Sequence, residues 1–312
     1  MRSLKDYLMI TLRGMAMGAA DVIPGVSGGT IAFITGIYEE LINSIKSINP
    51  ASLKLLLRGK ISEFWTAING NFLISLVAGI FISILSLAKL MEYLLESYPV
   101  LVWSFFFGLI VASAIYVVRY VKKWNAGIVL ITVAGAVIAY VITILTPAEA
   151  NTTYGFIFLS GAIAICAMIL PGISGSFILV LLGMYRFILQ AVSDFNIPVI
   201  LVFLLGAGIS IILFSNFLSW LFRKYHDLTI GLLAGFMVGS LNKVWPWKRV
   251  VETFTDRHGL VRPLIEENVL PGTYEVVSNK PSLLAGALVL ALTGFVLIFV
   301  IEGFTGNKKE KA

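Results

Sequence analysis

Cysteine and histidine are almost missing from this chain. The single cysteine, Cys166, lies in an apolar segment, which excludes a disulfide framework and any thiolate metal cluster. His226 and His258 are the only histidines and fall in expected loops on opposite sides, so neither a histidine-held metal site nor a histidine-based hydrolase constellation can form. Charge is scarce as well: 13% of the 312 residues are charged against 58% hydrophobic, far outside the soluble globular range. No phosphate-binding loop for ATP hydrolysis and no dinucleotide fingerprint is present, so no enzyme activity and no cofactor is expected. The net charge of +6 does not point to nucleic acid, because the basic residues gather in short clusters beside apolar runs.

Long apolar runs are what the chain has instead, and they define an all-α polytopic membrane protein. Runs able to cross a bilayer cover residues 72–95, 100–119, 126–145, 197–222, 228–242 and 283–301; a crossing takes about 20 residues, fewer in a bundle. The N-terminal stretch is not read as a signal peptide, because Arg13 interrupts it and it forms half of a duplication described below. Following the crossings in order places Arg2 and Lys5, Lys54 and Arg58, Lys122 and Lys123, Arg223 and Lys224, and Lys308 and Lys309 on one side. By the positive-inside rule that side is the cytoplasm, with both termini on it. The long 243–281 loop breaks the pattern, but long loops translocate largely regardless of charge. Between the first two apolar regions, Leu53, Leu57, Ile61, Phe64 or Trp65, and Ile68 share one helical face. This linker is either an amphipathic helix on the membrane surface or an ordinary connector.

A proline-glycine turn occurs twice. Pro24-Gly25-Val26-Ser27-Gly28-Gly29-Thr30 returns as Pro171-Gly172-Ile173-Ser174-Gly175-Ser176, and Gly36-Ile37-Tyr38 returns as Gly183-Met184-Tyr185. The likeness continues through Gly108 to Ser113 against Gly235 to Ser240, so residues 1–150 and 151–312 are read as two repeats. Each would hold one re-entrant helical hairpin and three transmembrane helices. Three crossings are an odd number, so the second repeat is expected to be inverted relative to the first, a recurring transporter architecture.

Proline and clustered glycines interrupt helical hydrogen bonding, and in hydrocarbon such a break survives only when buried in protein or lining a cavity. A helix is expected to start after each proline, with Ser27 or Ser174 as N-cap and its positive end toward the membrane centre, where it suits an anion. Gly28, Gly29 and Gly175 permit close backbone approach, and Ser27, Thr30, Ser174 and Ser176 add hydroxyl donors. The competing reading is that the glycines only let helices pack, as at Gly14 and Gly18 or at Gly231, Gly235 and Gly239. Among charges within the apolar regions, Arg13 and Arg186 would neutralise a bound anion, and Asp21 or Glu39 would take up a coupling proton. Alternatively Arg13 and Asp21 pair with each other, and Glu39, Glu40 and Arg186 reach interfacial water.

At these residues the sequence resembles a known family. Residues 17–30 followed by Gly36-Ile37-Tyr38-Glu39, together with residues 170–176 followed by Gly183-Met184-Tyr185, are similar to the bacterial polyprenyl-phosphate translocases. The resemblance covers nearly the whole chain. It implies return of undecaprenyl phosphate, the carrier lipid of cell-envelope synthesis, from the outer to the inner leaflet of the bacterial cytoplasmic (inner) membrane. One departure is Arg186, where an acidic residue resembling Glu39 is common in the family. A channel or exchanger for a small inorganic anion would use the same opposed helix ends. A homo-oligomer is compatible with the sequence, which is silent on the point.

Overall fold

The computed structural model describes residues 2–21, 26–255 and 261–306. The chain runs α1 (Leu4–Asp21), α2 (Gly28–Ile34), α3 (Tyr38–Lys46), α4 (Pro50–Leu57), α5 (Ile61–Ala67), α6 (Gly70–Ser97), α7 (Pro99–Val118) and α8 (Ala126–Ile144). It continues through α9 (Tyr154–Ile169), α10 (Gly175–Leu181), α11 (Tyr185–Ser193), α12 (Ile197–Lys224) and α13 (His226–Ser240). A hairpin of β1 (Lys248–Thr255) and β2 (Val261–Asn268) follows, then α14 (Pro271–Ser278) and α15 (Leu284–Gly306). Every apolar run of the sequence became a helix with ends close to the expected ones. Four of these, in α6, α7, α8 and α12, are long and apolar enough to cross a membrane.

Lengths repeat along the chain. α2 and α10 have 7 residues each, α3 and α11 have 9, and α6 and α12 have 28. At 1.5 Å per residue the last two extend about 42 Å, more than the hydrocarbon thickness of about 30 Å, so each crosses with room to tilt. Packing repeats too: α1 lies on α6 and α9 on α12, while α8 lies on α13 and α15 on α7. Of these four spans α7 is the most enclosed and α12 the least. Leu201, Leu204, Leu205 and Leu213 on α12 are exposed, as side chains facing lipid are.

The Gly-Ile-Tyr and Gly-Met-Tyr triplets have a structural cause that their pattern alone did not reveal. Each glycine ends a helix in the left-handed region, at φ 71° for Gly36 and 70° for Gly183. The next residue's N–H reaches back five positions, Ile37 to the Ala32 carbonyl at 3.0 Å and Met184 to Leu179 at 2.8 Å. That is a Schellman ending, in which the residue after glycine is apolar and buried. Ile37 and Met184 are both buried, and the tyrosine then opens a new helix. α11 leaves α10 at 110°, so this arm folds over near the end of a seven-residue helix.

Three details add to what the sequence shows. The chain is mostly helical, but residues 248–268 form an antiparallel hairpin with register shifts around Glu252. Strand-forming Val250, Val251, Thr253 and Thr255 fall there in a long polar loop, where open sheet edges can be hydrated. The linker is not one amphipathic helix: Gly59, at φ 74°, separates α4 from α5. Leu53, Leu57, Ile61 and Trp65 are nevertheless exposed and Ile68 is buried. The 243–281 loop is tied down at its ends, the Trp245 and Trp247 indoles donating to the Val269 and Ser282 carbonyls, each at 2.9 Å.

Glycines hold the helix pairs together, as the small-residue reading required. A Cβ on Gly206 would overlap the Phe158 carbonyl across the α9–α12 seam, whereas one on Gly208 would meet nothing within 4 Å. Gly206→Ala is therefore expected to destabilise the chain by about 1–3 kcal/mol, and Gly208→Ala to leave it unchanged or more stable by up to about 1 kcal/mol. Thermal unfolding of the two variants in detergent checks this. Equal midpoints would contradict the seam.

Candidate functional site

The first turn delivers the chain from α1 into α2. Pro24 and Gly25 lie outside the described residues. Ser27 has extended backbone angles and caps α2 as expected, its Oγ accepting the Gly29 N–H at 3.1 Å. The Thr30 N–H donates to the Ser27 carbonyl at 3.0 Å. The Gly28 N–H donates to Asp21 Oδ1 at 2.7 Å. The first donors of α2 are thus already taken, one of them by a carboxylate.

In the second turn, Pro171, Gly172, Ser174 and Gly175 are buried and Ser176 is half-buried. Gly172 sits at φ 87°, a conformation that L side chains avoid. Ser174 occupies the N-cap position of α10 but makes no capping bond, and its hydroxyl instead pairs with that of Ser176 at 2.8 Å. The two turns therefore match in sequence and differ in how their helix ends are satisfied.

The turns touch each other. The Ser27 hydroxyl lies 3.2 Å from the Met168 carbonyl and 3.1 Å from that of Leu170, and with one proton it donates to one of them at a time. In return the Gly172 N–H donates to Thr30 Oγ1 at 3.0 Å. Residues more than 140 positions apart are thus joined, with Ser27 and Thr30 buried at the junction and Ser174 buried two residues beyond Gly172. The backbones approach so closely that a Cβ on Gly29 would overlap the Ile169 carbonyl.

The charged candidates separate. Asp21 is at the junction, bonded to Gly28 rather than to Arg13. Arg13 is two turns back on α1, half-buried, and the charges acting on it are Glu40 and Arg2. Arg186 stands on α11, beyond the bend, and Glu39 is exposed on α3. Its neighbour Glu40 is the one engaged, accepting both Arg2 nitrogens at 2.6 and 2.7 Å and the Asn69 amide at 2.9 Å. Sequence reasoning missed Lys243. It lines a crevice of about 10 Å³ together with Gly172, Ile173, Ser174 and Phe177, a volume of about one water. Its position one residue past an apolar segment had marked it as a loop residue.

Residues 17–262 match the family model described as VCA0040-like, undecaprenyl phosphate translocase-like, a stretch that takes in both turns. The chain belongs to this family. It is 48% identical over 299 residues to the polyprenyl-phosphate transporter of Vibrio cholerae, covering 96% of this chain and 97% of that one. It is 32% identical over 253 residues to the polyprenyl-phosphate transporter of Staphylococcus aureus, covering 75% and 85%. No solved structure matches it. Family and relatives are named for transport and not for catalysis, in keeping with a multi-pass membrane protein without an enzyme site.

Proposed function

We propose that the chain is a translocase for a polyprenyl phosphate, and for undecaprenyl phosphate in particular, returning the lipid from the outer to the inner leaflet of the cytoplasmic membrane. The observation that carries this reading is the junction of the two turns, in a chain nearly half identical to a relative named a polyprenyl-phosphate transporter. Residues 1–150 and 151–312 act as inverted repeats, and rocking of one against the other at the junction exposes it to each leaflet in turn. The phosphate is held by backbone and hydroxyl donors of Pro24 to Thr30 and Pro171 to Ser176, with Arg13 or Arg186 neutralising its charge, while the isoprenoid tail stays in lipid.

Asp21 gives the scheme a coupling step. Its carboxylate takes the Gly28 N–H at 2.7 Å, the donor a phosphate would need. Protonation removes that resident negative charge, frees the helix end for the headgroup and carries one proton with the lipid. Glu39, exposed on α3, supports such a role less well than Asp21 does.

Binding to the full chain in nanodiscs tests the headgroup assignment. Undecaprenyl phosphate is expected to bind the wild type, and the Ser27→Ala/Ser174→Ala double variant is expected to bind it about tenfold more weakly. Neutral polyprenol should not distinguish the two proteins. Equal affinity of a folded double variant for the phosphate lipid would remove the turns as its site.

A further inference from the structure

Beyond the junction, the side of the second turn toward the β-hairpin holds two cations that the scheme above does not use. Lys243 Nζ lies over the Phe177 ring, 4.6 Å from its centroid, beside the backbone of Gly172 to Ser174. Lys248 Nζ, on β1, lies 3.8 Å from the centroid of Trp103 on α7. The Lys248 side chain is only 6% exposed, and its ammonium has no hydrogen-bond partner among the described residues. Glu266 on β2 stands 3.5 Å from it and bears electrostatically on both lysines, while the charge of Lys243 bears on Lys248.

Ion pairs across this hairpin can close to hydrogen-bonding distance. Arg249 and Glu267, one residue along each strand, do so. Among the described residues one carboxylate serves these two ammonium groups, and the buried Lys248 ammonium meets it only at 3.5 Å, with the Trp103 ring on its other side. Burial pushes Lys248 down to about 8. A buried charge so loosely paired is costly to keep, and the cost is offset when an anion arrives.

An open apolar groove of about 640 Å³ runs beside this crevice. It is lined by Phe107, Val133, Tyr140, Val238 and Trp245. Asn242, at its polar end, donates to Thr143 at 2.7 Å, and Thr143 lines the lysine crevice. The Asn268 amide in turn donates to the Asn242 side-chain oxygen at 2.9 Å and to the Asn242 carbonyl at 2.7 Å, so a short chain of polar side chains stands where the apolar groove meets the cationic crevice.

We propose that Lys243 and Lys248 form a second phosphate site, which takes the headgroup of a polyprenyl phosphate next to the second turn while the tail lies in the α7–α8–α13 groove. This rests on the translocase reading and adds a station to it. The headgroup meets the lysines on the hairpin side before or after it occupies the junction, and the Asn242–Thr143 bond opens to admit it. Free phosphate would satisfy the same charges, and the groove favours the lipid as its source.

Binding of three probes to the full chain in nanodiscs tests the site: undecaprenyl phosphate, neutral polyprenol and inorganic phosphate. Lys243→Gln/Lys248→Gln is expected to weaken the phosphate lipid at least about tenfold and to leave polyprenol unchanged. Lys248→Met removes the costly charge at similar volume, so its thermal midpoint should equal or exceed the wild type's while its affinity for the phosphate lipid falls. A purely structural lysine would show a lower midpoint with unchanged affinity, which overturns the proposal. Lysine dependence confined to inorganic phosphate overturns the lipid assignment. If the wild type binds the phosphate lipid and the lysine variants bind it equally, this site falls and the translocase reading stands. If the wild type binds none, both fall.

Discussion

Gly29→Ala is expected to stop transport while leaving most of the fold in place. The added methyl group would overlap the Ile169 carbonyl, and because both partners are backbone, neither can rotate away. Relief requires α2 and the end of α9 to separate, which stretches the Ser27 bonds to Met168 and Leu170 and the Gly172 bond to Thr30. Overpacking of this kind costs about 1–3 kcal/mol and each lost hydrogen bond about 1 kcal/mol. Against a total stability of about 5–15 kcal/mol, the chain still folds, with its two turns apart. Gly172→Ala acts at the same place from the other side, since residue 172 has φ 87° and its Cβ would lie 2.9 Å from the Phe236 carbonyl. Both variants should lose transport by about tenfold or more and unfold at lower temperature. Gly155→Ala, where a Cβ meets nothing within 4 Å, should match the wild type on both counts. Transport by Gly29→Ala at the wild-type rate would show that the junction is not where the lipid passes.

Asp21 separates shape from charge. In Asp21→Ala the Gly28 N–H loses its partner in a buried place, at a cost of about 1–3 kcal/mol, and transport should fall with stability. Asp21→Asn keeps an oxygen for Gly28 and removes the negative charge, so it imitates the protonated carboxyl permanently. This variant should fold like the wild type and bind the phosphate lipid at least as tightly. The sign of the pH effect follows. Raising the pH ionises Asp21, returns its charge to the helix end and weakens binding by the wild type relative to Asp21→Asn. Comparing the two proteins with one lipid cancels the headgroup's own titration. Transport by Asp21→Asn should no longer respond to a proton gradient. A variant that keeps the full gradient response would place coupling elsewhere.

Much of the helical architecture was legible because it rests on periodicity and length. Apolar runs of about 20 residues have few alternatives to a spanning helix, and the expected segments reappear as α6, α7, α8, α12, α13 and α15. The duplication pointed to a meeting of the turns, and Ser27, Thr30 and Gly172 do meet. Residue-level roles were less legible, because they depend on which partner arrives. Identical serines at positions 27 and 174 give one helix cap and one hydroxyl pair. Adjacent Glu39 and Glu40 differ only in which one Arg2 and Asn69 reach. The hairpin of β1 and β2 was hidden by its polar composition, and with it went Lys248, whose burial against Trp103 depends on a contact across more than a hundred residues. Lys243 was discounted for a related reason, since a basic residue at a segment end usually reaches water, and here it turns back toward Phe177.

Leaflet exchange of undecaprenyl phosphate in proteoliposomes, read by a lipid-modifying enzyme sealed on one side, tests the central claim most directly. The account predicts exchange faster than in protein-free vesicles for the wild type, background exchange for Gly29→Ala, and a response to a proton gradient that Asp21→Asn lacks. Background exchange by folded wild-type protein, accompanied by chloride or phosphate flux through the same vesicles, would contradict it and assign the two turns to an inorganic anion.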